Sequence, residues 1–89
     1  MVEKTITIRN KLGLHARAAV KFVNTANRFV ADVRIIKDGS EIDGKSILGI
    51  LTLAATQGSD IQLKVDGLDE TPAWEALADL INSRFGEKE

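Results

Sequence analysis

Apolar positions recur along the chain with two different periods. From Val2 to Arg9, Ile6 and Ile8 fall on one face and Thr5 and Thr7 on the other, the period-two pattern of a half-buried strand. Asn10 to Leu14 reads as a loop. Beyond His15, Ala19, Phe22, Val23 and Ala26 return at steps of three and four, which predicts an amphipathic helix ending near Asn27. Ala31 to Lys37 carries Val33, Ile35 and Ile36 and predicts a second strand. Asp38-Gly39 is a hairpin signal leading into a short antiparallel strand over Glu41 to Asp43. Ser46 predicts the N-cap of a short helix through about Leu53, because its hydroxyl can accept from an orphan N–H. Gln57-Gly58-Ser59 closes that unit. Ile61, Leu63 and Val65 alternate with polar neighbours, so Asp60 to Asp66 predicts a fourth strand. In the last segment Thr71 reads as N-cap and Pro72 as first-turn proline. Trp74, Leu77, Ala78, Ile81 and Phe85 form the buried stripe of that helix before Gly86 stops it.

The element order is therefore βαββαβα. Strands that alternate, rather than running continuously apolar, belong to an antiparallel sheet with one covered face and one exposed face, and the three helices are expected on the covered side. This is an α+β class, a split βαβ arrangement with an extra C-terminal helix. Eighty-nine residues, 44% of them apolar, are expected to form one domain over 1–89, with Phe22 and Trp74 in its core.

Composition narrows the function classes. A formal charge of -1, one tryptophan and three phenylalanines argue against nucleic-acid binding, which needs a basic excess or aromatic stacking platforms. The absence of cysteine and the presence of a single histidine argue against disulfides and a metal site, and suit a reducing cytosol. The longest apolar run, Ile47 to Ala55, is interrupted by Gly49 and Thr52 and falls short of the roughly 18 residues that suggest a membrane span. The charged start Val2-Glu3-Lys4 does not resemble a secretory signal. A soluble cytoplasmic monomer without cofactor is the expectation.

The single histidine, His15, lies where Gly13-Leu14 hands over to the first helix. Backbone N–H groups at a helix start have no intrahelical partner and the dipole favours anions there, so His15 with the N–H groups of Ala16 and Arg17 forms a candidate phosphate site. The positive helix end and the Arg17 charge favour a neutral, nucleophilic ring. A plain capping or solvent-facing histidine remains the alternative on spacing alone. Arg17, in turn, is poorly explained as a solvated first-turn cation, since that end of the dipole disfavours it without an anion. No P-loop or paired-acid motif is present, so His15 would exchange phosphate only when partner proteins bring the rest. Ser46 needs no role beyond capping. Ile50 and Leu53 can face the core, leaving Ile47, Leu48 and Leu51 on another face that periodicity alone does not assign to solvent or interior.

Two motifs change that balance. Gly13-Leu14-His15-Ala16-Arg17 before an alanine-rich helix, and Lys45-Ser46-Ile47-Leu48-Gly49-Ile50 further on, resemble HPr, the histidine phosphocarrier family of the bacterial phosphoenolpyruvate-dependent sugar phosphotransferase system. The resemblance spans essentially the whole chain. It implies an open-faced β-sandwich in which His15 accepts a phosphoryl group on its δ nitrogen from phospho-enzyme I and donates it to enzyme IIA domains, with Arg17 steadying the phosphate. It also implies regulatory phosphorylation of Ser46 by an HPr kinase/phosphorylase, and a docking patch of Val20, Ile47, Leu48 and Leu51. The family motif usually has proline where this chain has Ala18. Such a protein is a carrier rather than an enzyme. The alternatives are a paralogous carrier in a nitrogen-related phosphorelay, and a regulatory binding module acting through Ser46.

Overall fold

The computed structural model describes residues 1–89, and its elements follow the βαββαβα order: β1 (Val2–Thr7), α1 (Ala16–Ala26), β2 (Asp32–Lys37), β3 (Ser40–Asp43), α2 (Ile47–Leu53), β4 (Asp60–Asp66) and α3 (Glu70–Asn82). The four strands form one sheet in the order β1-β4-β2-β3, every pair antiparallel. Register follows the apolar pattern, with Ile6 opposite Ile61, Leu63 opposite Ile35, and Val65 opposite Val33. A slip of one residue would turn each of these side chains to water. Asp38 and Gly39 link β2 to β3 with φ of 50° and 82°, the two positive values that a tight primed turn requires.

One core cluster fills the space between sheet and helices. Phe22, Ile50 and Leu77, one from each helix, are fully buried against Val33, Ile35 and Leu63. Trp74 is only partly buried. Its indole N–H donates to the Leu63 carbonyl at 3.1 Å, and the Lys4 ammonium lies 5.0 Å from its ring centroid. A cation over the face of an aromatic ring is attracted by the ring quadrupole while its long stem shields apolar surface.

Besides the partial exposure of Trp74, two features of the final helix differ from the sequence expectation. Its N-cap is Asp69, not Thr71, and Asp69 makes no side-chain capping bond. The carboxylate instead accepts from the backbone N–H groups of Val30 and Ala31 at 3.0 and 2.9 Å, tying the helix start to the segment entering β2. Pro72 therefore stands third in the helix, and the first intrahelical bond comes from the Ala73 N–H to the Asp69 carbonyl. The N–H that proline lacks would have found no partner in that turn anyway. The second difference is Phe85. The helix ends at Asn82, and Arg84 and Phe85 adopt left-handed φ of 59° and 55° in a short 3₁₀ turn. Phe85 is buried as its apolar character requires, but it reaches the core from that turn and not from the helix.

Ser46 caps α2, its Oγ accepting from the Gly49 N–H at 3.0 Å. No helix is long and apolar enough to cross a membrane.

Candidate functional site

The segment before α1 is fixed by a close backbone approach. Gly13 has φ of 69°, and a Cβ there would lie 2.3 Å from the Ala55 carbonyl oxygen. The same oxygen accepts the Leu14 N–H at 2.9 Å, and Leu14 is buried. This contact sets where the chain enters the helix. His15 then occupies the N-cap with extended backbone and no side-chain capping bond, so its ring is free for other work. Its carbonyl accepts the first intrahelical bond, from the Ala19 N–H at 2.8 Å, which leaves the N–H groups of Ala16 and Arg17 ahead of the helical ladder.

His15, Ala16 and Arg17 line one open cleft of about 740 Å³, together with Lys11, Leu12 and residues 87–89. Arg17 is exposed, and neither an ion pair nor a side-chain hydrogen bond engages its guanidinium. A cation held beside an uncapped helix start and free of any carboxylate is a ready partner for an anion. Ala18 is fully buried in the first turn of α1, where the helix forms without the proline of the motif.

The ring of His15 has a partner that the sequence pattern did not reveal. Glu87, 72 residues away, brings Oε2 to 2.5 Å from Nε2. Burial pushes the Glu87 carboxyl up, but hydrogen bonds from His15 and Asn10, with the charges of His15 and Lys21, outweigh it and hold the group below its ordinary value. An ionised carboxylate can only accept, so the proton in this contact sits on Nε2, and whenever the ring is neutral its lone pair is on Nδ1. Asn10 secures the arrangement. Its side chain is fully buried, and the amide donates to the Gly13 carbonyl at 2.8 Å and to Glu87 Oε1 at 3.0 Å. The electrostatics at His15 therefore combine the helix end and Arg17 with a carboxylate, not with cations alone. Nothing in the local spacing around His15 could have located Glu87.

The remaining sequence candidates lie on α1 and α2, which pack against each other. Val20, Ile47 and Leu51 are about two-fifths exposed and Leu48 is 73% exposed, whereas Ile50 and Leu53 turn inward. The face that periodicity left open thus meets solvent. Ser46 lies at the start of this helix and does not line the cleft of His15. Lys45 beside it donates from Nζ to the Phe29 carbonyl at 2.8 Å.

Residues 2–83 match the family model of the PTS HPr component phosphorylation site. The chain belongs to the HPr family. HPr proteins are phosphocarriers of the phosphotransferase system, carrying a phosphoryl group without being enzymes themselves. The phosphocarrier protein HPr of Neisseria meningitidis serogroup A is 52% identical over 89 residues, all of both chains. That of Cupriavidus necator is 48% identical over the same full length. Among solved structures, HPr from Thermoanaerobacter tengcongensis superposes with a TM-score of 0.96 at 47% identity, covering 100% of each chain. The HPr fold, with its antiparallel sheet and three helices, is thereby established for this chain.

Proposed function

We propose that this chain, as a single HPr domain over residues 1–89, relays a phosphoryl group through His15. Nδ1 takes the group from phospho-enzyme I and hands it to enzyme IIA domains of the sugar phosphotransferase system. The observation that carries the assignment is the His15 ring at the start of α1, which makes no cap bond and has Nε2 engaged by Glu87, leaving Nδ1 without a protein partner. Arg17 and the N–H groups of Ala16 and Arg17 stabilise the phosphate charge, which is most of what phosphoryl transfer asks of a protein. The carrier acts as a cytoplasmic monomer and needs no cofactor. Incubation with labelled phosphoenolpyruvate and enzyme I should give one acid-labile phosphate, on His15. Label on any other residue would defeat the assignment. Running the sugar and nitrogen versions of enzyme I side by side identifies the donor, the faster one naming the branch.

The apolar face of Val20, Ile47, Leu48 and Leu51 is the docking surface for enzyme I and IIA domains. Exposed apolar groups of this kind anchor protein interfaces at their centre. Leu48→Asp is expected to raise the KM of enzyme I for the carrier roughly tenfold, the scale of a lost anchor. Its thermal stability should stay within about 0.5 kcal/mol of native, as for an exposed position. An unchanged KM would remove this face from docking.

Ser46 is the regulatory site for an HPr kinase/phosphorylase. A phosphate there sits at the N-terminus of α2, where the helix end tolerates it, and places close to two negative charges beside the docking face. The hydroxyl also caps α2, so Ser46→Ala should both resist the kinase and lower stability by about 1 kcal/mol in a denaturant titration. Continued phosphorylation of the variant would move the regulatory site elsewhere.

A further inference from the structure

The segment after α3 is fastened across the cleft at both ends. Lys21 donates from Nζ to the Phe85 carbonyl at 2.6 Å on one side. On the other, the Lys11 N–H donates to the Glu89 carbonyl at 2.6 Å and the Lys11 ammonium pairs with the Glu89 carboxylate at 3.3 Å. Glu87, between these anchors, has one carboxylate oxygen held by the buried Asn10 amide and the other on His15 Nε2. The Glu87 side chain is 16% exposed and that of His15 27%, so the contact is shielded enough for its charge to be felt.

We propose that Glu87 is the positioning residue for phosphoryl transfer at His15: it keeps the ring proton on Nε2, so that Nδ1 attacks and the phosphorylated ring persists as an imidazolium. The inference rests on His15 being the phosphoryl acceptor. In the forward step the Nδ1 lone pair forms the N–P bond while the bond from phosphorus to the donor breaks and its electron pair returns to the donor. The Nε2 proton does not move, and the ring gains a positive charge that faces the Glu87 carboxylate. In the return step the N–P pair goes back to Nδ1, and a neutral imidazole with its Nε2 proton in place is the leaving group. Without the carboxylate, the phosphorylated ring would shed that proton and become a neutral phosphoimidazole, whose leaving group would be the far more basic imidazolate.

The other charged groups around the ring do not take this role. Arg17 from α1 and Lys88 beyond Glu87 are cations lining the cleft, and Lys11 from the loop before α1 is paired with Glu89. Lys21, also on α1, acts on Glu87 and helps to keep it ionised. Glu89 is spent on Lys11.

The test uses the full chain as native protein and as the Glu87→Gln, Glu87→Asp and Glu89→Ala variants. Nitrogen-15 NMR of unphosphorylated His15 should show the proton on Nε2 in the native protein, with the Nδ1 tautomer gaining population in Glu87→Gln. In phosphorus-31 titrations the phosphohistidine midpoint should fall by roughly one to two pH units in Glu87→Gln, the scale of losing a nearby opposite charge. Above that midpoint its transfer to a IIA domain should slow roughly tenfold in kcat and not in KM, matching one unit of lost protonation. Glu87→Asp should recover part of both effects, and Glu89→Ala should show neither. Native tautomer, midpoint and kcat in Glu87→Gln would reduce Glu87 to a tail anchor and overturn the inference. The tautomer reading needs no phosphate, so it stands apart from the labelling of His15 and separates failure of this inference from failure of the carrier assignment.

Discussion

His15→Ala is expected to abolish phosphoryl acceptance from enzyme I while leaving the domain folded. The loss should be complete, not partial, because the chain holds no second histidine and no cysteine to take over as acceptor. Stability should change little by comparison. The His15 side chain makes no cap bond, and the first helical bond uses its backbone carbonyl, which alanine retains. The contact to be lost is the one with Glu87, whose Oε1 keeps its bond from Asn10. A cost of about 1 kcal/mol is the scale for losing one partly buried hydrogen bond. Labelled phosphoenolpyruvate with enzyme I, together with a thermal melt of the same variant, checks both halves. A folded His15→Ala protein that still takes up acid-labile label would show that the acceptor lies elsewhere.

That variant also separates what local pattern can reveal from what it cannot. The strand over Asp60–Asp66, the turn at Asp38-Gly39 and the cap at Ser46 were legible because each rests on short-range rules: alternation, positive φ at two adjacent positions, a hydroxyl three residues from an orphan N–H. The start of α3 defeated the same rules. Thr71-Pro72 is a good local signal, but Asp69 lies two residues earlier and its carboxylate serves Val30 and Ala31 across the fold. Phe85 shows a different failure, since periodicity detected its burial correctly and its conformation wrongly; a side chain can reach the core from a left-handed turn as well as from a helix. At the candidate site, His15 and Arg17 were readable from their place at a helix start. Glu87 was not, because its link to His15 is tertiary and spans 72 residues. The motif supplied the anion-binding half of the cleft, and only the three-dimensional path of residues 86–89 supplied the half that governs the ring proton.

Gly13→Ala should be the most disruptive single methyl added near the site. Two costs combine at that position. The φ of 69° is left-handed, a region that costs an L-residue about 1–2 kcal/mol. The new Cβ would also lie 2.3 Å from the Ala55 oxygen and 2.9 Å from Thr56 Cα, both backbone atoms with no rotamer to yield. Relief requires the two chain segments to part, and that lengthens the Leu14 N–H bond to Ala55 and draws buried Leu14 from its place. A total of about 2–4 kcal/mol is expected, in the range of strained-backbone and overpacking substitutions. Gly58→Ala supplies the comparison, because φ there is 86° but nothing lies within 4 Å of the added atom. It should lose only the conformational part, about 1–2 kcal/mol. The difference between the two midpoints in urea therefore measures the close approach itself. Since Gly13 accepts the Asn10 amide through its carbonyl, the same strain reaches Glu87 and the His15 ring. Gly13→Ala should accordingly slow phosphoryl acceptance under conditions where it is still folded, while Gly58→Ala should not. Equal destabilisation of the two variants would mean that the loop before α1 is free to move, and that its contact with Ala55 does not hold His15 in place.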